Sequence, residues 1–125
     1  MVQQDAGSFA GIWNSRYEYE SSSRGGTFEG RHKVRIVQDD DHHIVVESLP
    51  EGNESYVVMR LTIDDNIATG SWQEHTSKQG YYKGAIYYGT IQLVIDADGR
   101  GMHGKWLGFD KDSNINVGPW ELVRE

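Results

Sequence analysis

The chain has 125 residues and a formal charge of −7, from 12 Lys and Arg against 19 Asp and Glu, which is the size of one domain. That charge repels phosphate backbones and the basic residues nowhere form a block, so direct nucleic-acid binding is not expected; nor does any apolar run reach the length of a membrane span. With no cysteine, disulfides, thiolate nucleophiles and thiolate zinc sites are excluded, while four Trp and seven Tyr are more core-forming surface than a disordered acidic tail carries.

The first eight residues read as a loose terminus, and the segment 9–125 as the domain. Met1-Val-Gln-Gln-Asp-Ala-Gly7 has neither a basic n-region nor an apolar h-region, so a cytoplasmic location is expected. From residue 9 onward, β-branched and aromatic runs of about ten residues alternate with turn clusters. The runs are Phe9 to Glu20, Phe28 to Gln38, His43 to Leu49, Ser55 to Asp64, Ile67 to Thr76, Ala85 to Ile95, Gly101 to Phe109 and Asn114 to Arg124. Between them stand Ser21–Gly26, Asp39–Asp41, Pro50–Asn53, Asp65-Asn66, Ser77–Gly80, Asp96–Gly99 and Asp110–Ser113, all rich in turn-forming residues and short enough for hairpins. No stretch of a dozen residues keeps helical spacing of apolar positions.

Eight sequential antiparallel strands suit an all-β, up-and-down barrel, lipocalin-like, with an open sandwich as the competitor. Glycines inside the runs (Gly30, Gly70, Gly84, Gly89, Gly104, Gly108, Gly118) favour the barrel, because closure needs tight coiling. Alternation fixes the inward face. It places Trp13, Ser15, Tyr17 and Tyr19 together on the first strand, and Phe28, His32, Val34 and Ile36 on the second. Trp72 and Glu74 share a face on the fifth, as do Tyr87, Ile91 and Leu93 on the sixth. Trp106 faces inward on the seventh, and Asn116, Trp120 and Leu122 on the last.

The opening Gly11-Ile-Trp13 resembles the G-x-W of lipocalin and avidin-type barrels. That resemblance implies that Trp13 closes one barrel end and that a basic residue of the last strand, here Arg124, covers it. A second resemblance runs over nearly the whole chain. Gly11-Ile-Trp-Asn-Ser-Arg-Tyr-Glu-Tyr19, Ala68-Thr-Gly-Ser-Trp-Gln-Glu-His-Thr-Ser77, Gly80–Leu93 and Gly104-Lys-Trp-Leu-Gly-Phe109 resemble a β-rich domain found C-terminal to a helix-turn-helix in bacterial Xre-type transcriptional regulators. It implies a ligand-sensing, regulatory role. No DNA-binding helices precede residue 9, so the chain reads as a fragment of a regulator or a free-standing relative.

An eight-stranded barrel is just wide enough to be filled by side chains or to hold one small ligand. Tyr17, Tyr19, His32, Trp72, Glu74, Tyr87, Trp106 and Asn116 converge in the lumen as aromatic walls with a few polar groups, the composition of a small-molecule pocket. Glu74 stands in an apolar wall, where desolvation raises a carboxyl pKa unless a cation, His32 or Arg16, pairs with it. The expected function is non-enzymatic binding or sensing of a small hydrophobic or aromatic molecule, with no cofactor or metal. Trp72, Trp106, Tyr17 and Tyr87 would bury it, and Glu74, His32 and Asn116 would orient it. A barrel isomerase or cyclase using Glu74 and His32 for proton transfer is the alternative, and a module with a packed lumen the third.

Other signals are weaker. Asp39-Asp-Asp-His-His43 crowds metal-type ligands but reads as a solvated turn, since His42 and His43 diverge on a strand. Asp110-Lys-Asp-Ser-Asn114 matches the first positions of a calcium loop, but Ile115 stands where the loop needs Gly. His75 and His103 belong on outer faces. Tyr81, Tyr82 and Tyr88, near Lys78 and Lys83, suggest a rim that grips a ligand or a second copy of the chain, or else a lid over one barrel end.

Overall fold

Strict alternation makes each run a strand with one face for the lumen and one for solvent. The computed structural model describes residues 8–20, 25–50, 55–76, 84–109 and 113–125. Its strands are β1 Gly11–Glu20, β2 Thr27–Asp40, β3 His43–Ser48, β4 Tyr56–Asp64, β5 Ile67–His75, β6 Ile86–Ile95, β7 Gly101–Phe109 and β8 Ile115–Arg124. Each pairs antiparallel with the next, and β8 returns to β1 from Trp13↔Arg124 to Tyr17↔Trp120, closing an eight-stranded barrel. Helix is absent from the described residues, so none there is long and apolar enough to cross a membrane.

Two boundaries differ from the sequence reading in an informative way. β2 runs on to Asp40 through a register shift between Gln38 and Asp40, because Asp40 pairs with His43 and leaves only Asp41 and His42 as the turn. Asp40 Oδ1 accepts from the His42 amide at 2.7 Å and lies 2.9 Å from His43 Nδ1, so this acidic cluster serves as a turn cap. Phe9, placed at the head of the first strand by its sequence, instead packs its ring 6.4 Å from Trp13 across the barrel end. Its amide donates to Gln38 Oε1 at 2.7 Å.

The two halves of the lumen differ in chemistry. At the end where β1 begins, inward positions are Trp13, Val34, Ile36, Ile44, Met59, Leu93, Met102 and Leu122, all buried. Buried apolar side chains of this size are each worth about 1.5–3 kcal/mol. Trp13 is fully buried, its Nε1 donates to the Phe9 carbonyl at 2.9 Å, and the Arg124 guanidinium lies 5.4 Å from its ring centroid. Arg124 also donates to the carbonyls of Ser8 and Ala10, both at 2.9 Å. Ser8 is thereby tied to the barrel; residues 1–7 of the expected loose terminus lie outside the described residues. The turns at this end are tight: Asp65 adopts φ 57° between β4 and β5, and Gly99 φ 71° between β6 and β7.

The opposite half holds the rest of the tryptophans. Strand glycines there act as seats for rings as well as points of coiling. A Cβ at Gly30 would overlap the Tyr17 ring, and at Gly89 and Gly108 the Trp72 indole; at Gly118 it would come within 2.7 Å of the Trp106 indole. Each ring therefore lies along the wall over a neighbouring strand instead of standing out from it. Gly84, grouped with these in the sequence, stands before β6 with φ 79°.

Candidate functional site

Past Tyr17 the β1–β8 ladder stops, and Trp106 of β7 reaches over Gly118 to donate its Nε1 to the Glu18 carbonyl at 2.9 Å. Trp72 of β5 likewise crosses β6, its Nε1 lying 3.1 Å from the Thr90 carbonyl and 3.2 Å from that of Leu107. Trp120 donates to Ser15 Oγ at 2.8 Å, which explains the one buried polar side chain among the described residues. All three indole donors are thus satisfied by the barrel, as buried polar groups require.

These rings touch one another across the lumen. Trp72 meets Trp106 edge to face at 5.6 Å and Trp120 at 5.7 Å, and Trp120 lies 4.4 Å from Tyr17. Such contacts are favourable beyond simple area burial. Together the four form an aromatic floor over the apolar half. Toward the other mouth lie Tyr19, His32, Glu74, Tyr87 and Asn116, all half-buried and inward-facing. Tyr19 bridges Tyr17 and Phe28, at 6.0 and 5.8 Å between ring centroids, and Tyr87 packs on the core from β6.

Glu74 is the polar centre of this mouth. The Tyr17 hydroxyl donates to its Oε2 at 2.5 Å, and the Ser55 hydroxyl bonds the same carboxyl. His32 Nε2 lies 3.1 Å from both the carbonyl and the hydroxyl of Ser55. A carbonyl only accepts, so Nε2 carries hydrogen here. The His32 ring also stacks on Tyr17, 6.0 Å away and 6° from parallel. A continuous set of hydrogen bonds therefore runs from His32 through Ser55 and Glu74 to Tyr17. Burial holds the Glu74 carboxyl above its ordinary 4.5, against the opposing pull of the bonds from Tyr17 and Ser55. Burial and the neighbouring Glu74 charge also raise the Tyr17 phenol.

The expected direct cation for Glu74 is not what the barrel supplies. Arg16 follows an inward Ser15 and so points outward, where it bonds Glu121 and Glu18 at 2.8 Å and Glu29 at 2.9 Å. His32 lies 3.1 Å from the Ser55 hydroxyl, which in turn bonds Glu74. Sequence periodicity placed Ser55 at the head of the fourth run, on the parity of the inward Val57, but did not single it out as a site residue. The strand itself begins one residue later, at Tyr56, and Trp120 was likewise not singled out although alternation put it inward. The four tryptophans separate cleanly: Trp13 belongs with Arg124 at the closed end, and Trp72, Trp106 and Trp120 with the mouth.

Elsewhere, a groove of about 330 Å³ on the outer wall of β8, β1 and β2 is lined by Asn14, Arg16, Arg31, Lys33, Glu121 and Val123, with Ser15 and His32 behind them. Its charges pair among neighbours, including Arg31 with Glu29 at 2.7 Å and Lys33 with Glu125 at 2.8 Å. His75 stacks on Tyr56 at 4.4 Å, and His103 lies 3.3 Å from Asp96. Among the described residues no group of three His, Asp or Glu is arranged to hold a metal ion. Tyr88 is exposed on the outer wall, whereas Lys78, Tyr81, Tyr82 and Lys83 lie outside the described residues, as do Asp110, Lys111 and Asp112 of the calcium-like run.

The chain matches no protein-family model, and no curated protein matches it significantly.

Proposed function

We propose that this barrel is a non-enzymatic binding or sensor domain for a small, partly apolar or aromatic molecule, seated in the mouth above the aromatic floor. The observation that carries the reading is the contrast between the two halves of one lumen. One half is packed with aliphatic side chains and shut by Trp13 and Arg124. The other keeps half-buried polar groups, hydrogen-bonded to one another, over a platform of rings. Selection for stability alone favours replacing such a polar cluster with apolar packing; a few fixed polar groups on an aromatic wall are the make-up of a ligand pocket. In this reading Trp72, Trp106, Tyr17 and Tyr87 bury the ligand's apolar surface, while Glu74, His32, Tyr19 and Asn116 orient it.

The resemblance to the β-rich domains of Xre-type regulators supports a regulatory setting, with the bound molecule as the signal. A barrel isomerase or cyclase remains the second reading, favoured by one observation: a desolvated carboxyl and a histidine share the Ser55 hydroxyl, an arrangement able to relay a proton.

Native mass spectrometry of the protein purified from its own host tests the binding reading. The expected spectrum contains a complex heavier than the chain by one small molecule, diminished in Trp72→Ala. A bare chain mass under gentle ionisation, together with no response to added aromatic probes, would count against it.

A further inference from the structure

Among the described residues that face the mouth, the acidic group is Glu74 and the one titratable base is His32. Glu74 faces the mouth from β5, and no Lys or Arg among the described residues forms an ion pair with that carboxyl. The groups bonded to it, the Tyr17 and Ser55 hydroxyls, are neutral donors. Around it stand aromatic rings, and three of them, Tyr17, Trp72 and Trp106, lie against wall glycines. Tyr17 stacks on His32 and packs on Trp120, and Trp72 meets Trp106 edge to face, so the rings form a packed aromatic layer beside Glu74, and a ring face is the negative part of its quadrupole. The whole chain carries −7, a field that concentrates cations near a cleft and disperses anions.

We infer that the mouth selects an organic cation, an ammonium or quaternary amine on a small apolar body, with Glu74 as its counter-ion and Tyr17, Trp72 and Trp106 as its aromatic walls. This rests on the mouth being a binding site, as proposed above, and adds the chemical class of the ligand. The selection works by difference. A neutral lipophile seated over Glu74 buries the carboxyl further without compensating it, and an anion is repelled outright; a cation gains both the carboxylate and the ring faces. The Tyr17 hydroxyl holds the carboxylate in place, and Gly30 gives the Tyr17 ring room to reach it.

Three probes of similar size separate the possibilities: benzyltrimethylammonium, neutral N,N-dimethylbenzamide and anionic phenylacetate. Each is titrated into the full chain at about pH 8, where an ordinary histidine is neutral, and binding is followed by tryptophan fluorescence. The expected order is benzyltrimethylammonium at least about tenfold tighter than the amide, as a carboxylate and ring faces together warrant, with phenylacetate weakest. Glu74→Gln, which keeps an acceptor for Tyr17, is expected to bring the cation down to the affinity of the amide. If the amide or phenylacetate binds as tightly as the cation, cation selectivity is overturned and the mouth stands as a binding site of another class. Equal cation affinity in wild type and Glu74→Gln overturns the counter-ion role. If no probe binds, the cation proposal fails, and a small molecule retained in native mass spectra would still uphold the binding reading. The wild-type ranking decides even where the variant does not fold.

Discussion

Trp13→Ala is expected to lower the unfolding free energy by about 3–5 kcal/mol, a large share of the roughly 5–15 kcal/mol that a domain holds in total. The indole is fully buried at the closed end, so truncation leaves a cavity flanked by aliphatic side chains that cannot collapse into it without moving strands. It also removes the donor to the Phe9 carbonyl and the ring beneath the Arg124 guanidinium. Those contacts tie the chain's entry into β1 to the end of β8, the seam at which the barrel closes. Urea unfolding followed by far-ultraviolet circular dichroism measures the change. A loss under about 1 kcal/mol, no more than an average point substitution costs, would mean that the seam is held by the strand ladder alone.

Tyr17→Phe is expected to cost about 1–3 kcal/mol at neutral pH, since it strips a donor from a desolvated carboxyl, and less in acid. The sign follows from linkage. Burial raises the Glu74 carboxyl above 4.5, so the native state holds this proton more tightly than the unfolded chain. The stability that the group contributes is full below pH 4.5 and is lost as the pH rises through its native pKa. The Tyr17 bond opposes that rise; without it the pKa climbs further and the loss extends to higher pH. Glu29 and Asp40 act in the opposite sense. Their carboxyls are lowered by Arg16 and Arg31 and by the His42 amide and His43 respectively, so their contribution is present above the ordinary carboxylate range and lost as the pH falls below it. Between about pH 5 and 8 the difference in slope between wild type and Glu74→Gln thus isolates Glu74. Urea midpoints taken across that range are expected to fall more steeply with pH in wild type and most steeply in Tyr17→Phe. Parallel slopes in all three proteins would show that the carboxyl is not desolvated.

Much of the architecture was legible because a period of two is hard to mistake over ten residues. Phe28 to Ile36 alternates with Glu29 to Arg35 so regularly that the inward face of β2, and with it the place of His32, could be read directly. Closure followed from the number of strands and the glycines within them, and the aromatic side chains of the mouth followed from the same alternation. The finer chemistry was not legible, for identifiable reasons. Whether Glu74 meets Tyr17, His32 or Arg16 depends on barrel tilt, which sets residues far apart in sequence at the same depth; the Tyr17 to Glu74 bond spans 57 positions. Ser55 heads the fourth run on its inward parity, but a lone serine at the edge of a strand carries no sign of the histidine it will meet. The glycines of the mouth half carried two meanings at once, coiling and ring seating, and composition cannot separate them: the second appears only when Trp72 is seen to cross β6 at Gly89 and Trp106 to cross β8 at Gly118. The turn at Asp41-His42 was narrower than its run of acidic residues suggested, since pairing with His43 drew Asp40 into the strand.

Four indole N–H groups offer a direct test of the division between a shut half and a receptive one. In a ¹H–¹⁵N spectrum of the full chain they give four resolved signals: Trp13 bonded to Phe9 at the closed end, and Trp72, Trp106 and Trp120 bonded within the floor. Titration with 2-naphthol and, separately, with benzyltrimethylammonium is expected to move the Trp72 and Trp106 signals saturably with at least one probe, while the Trp13 signal holds still. If no indole responds to either probe, or if Trp13 shifts in step with the others, the mouth is not the receptive half and the binding reading is contradicted.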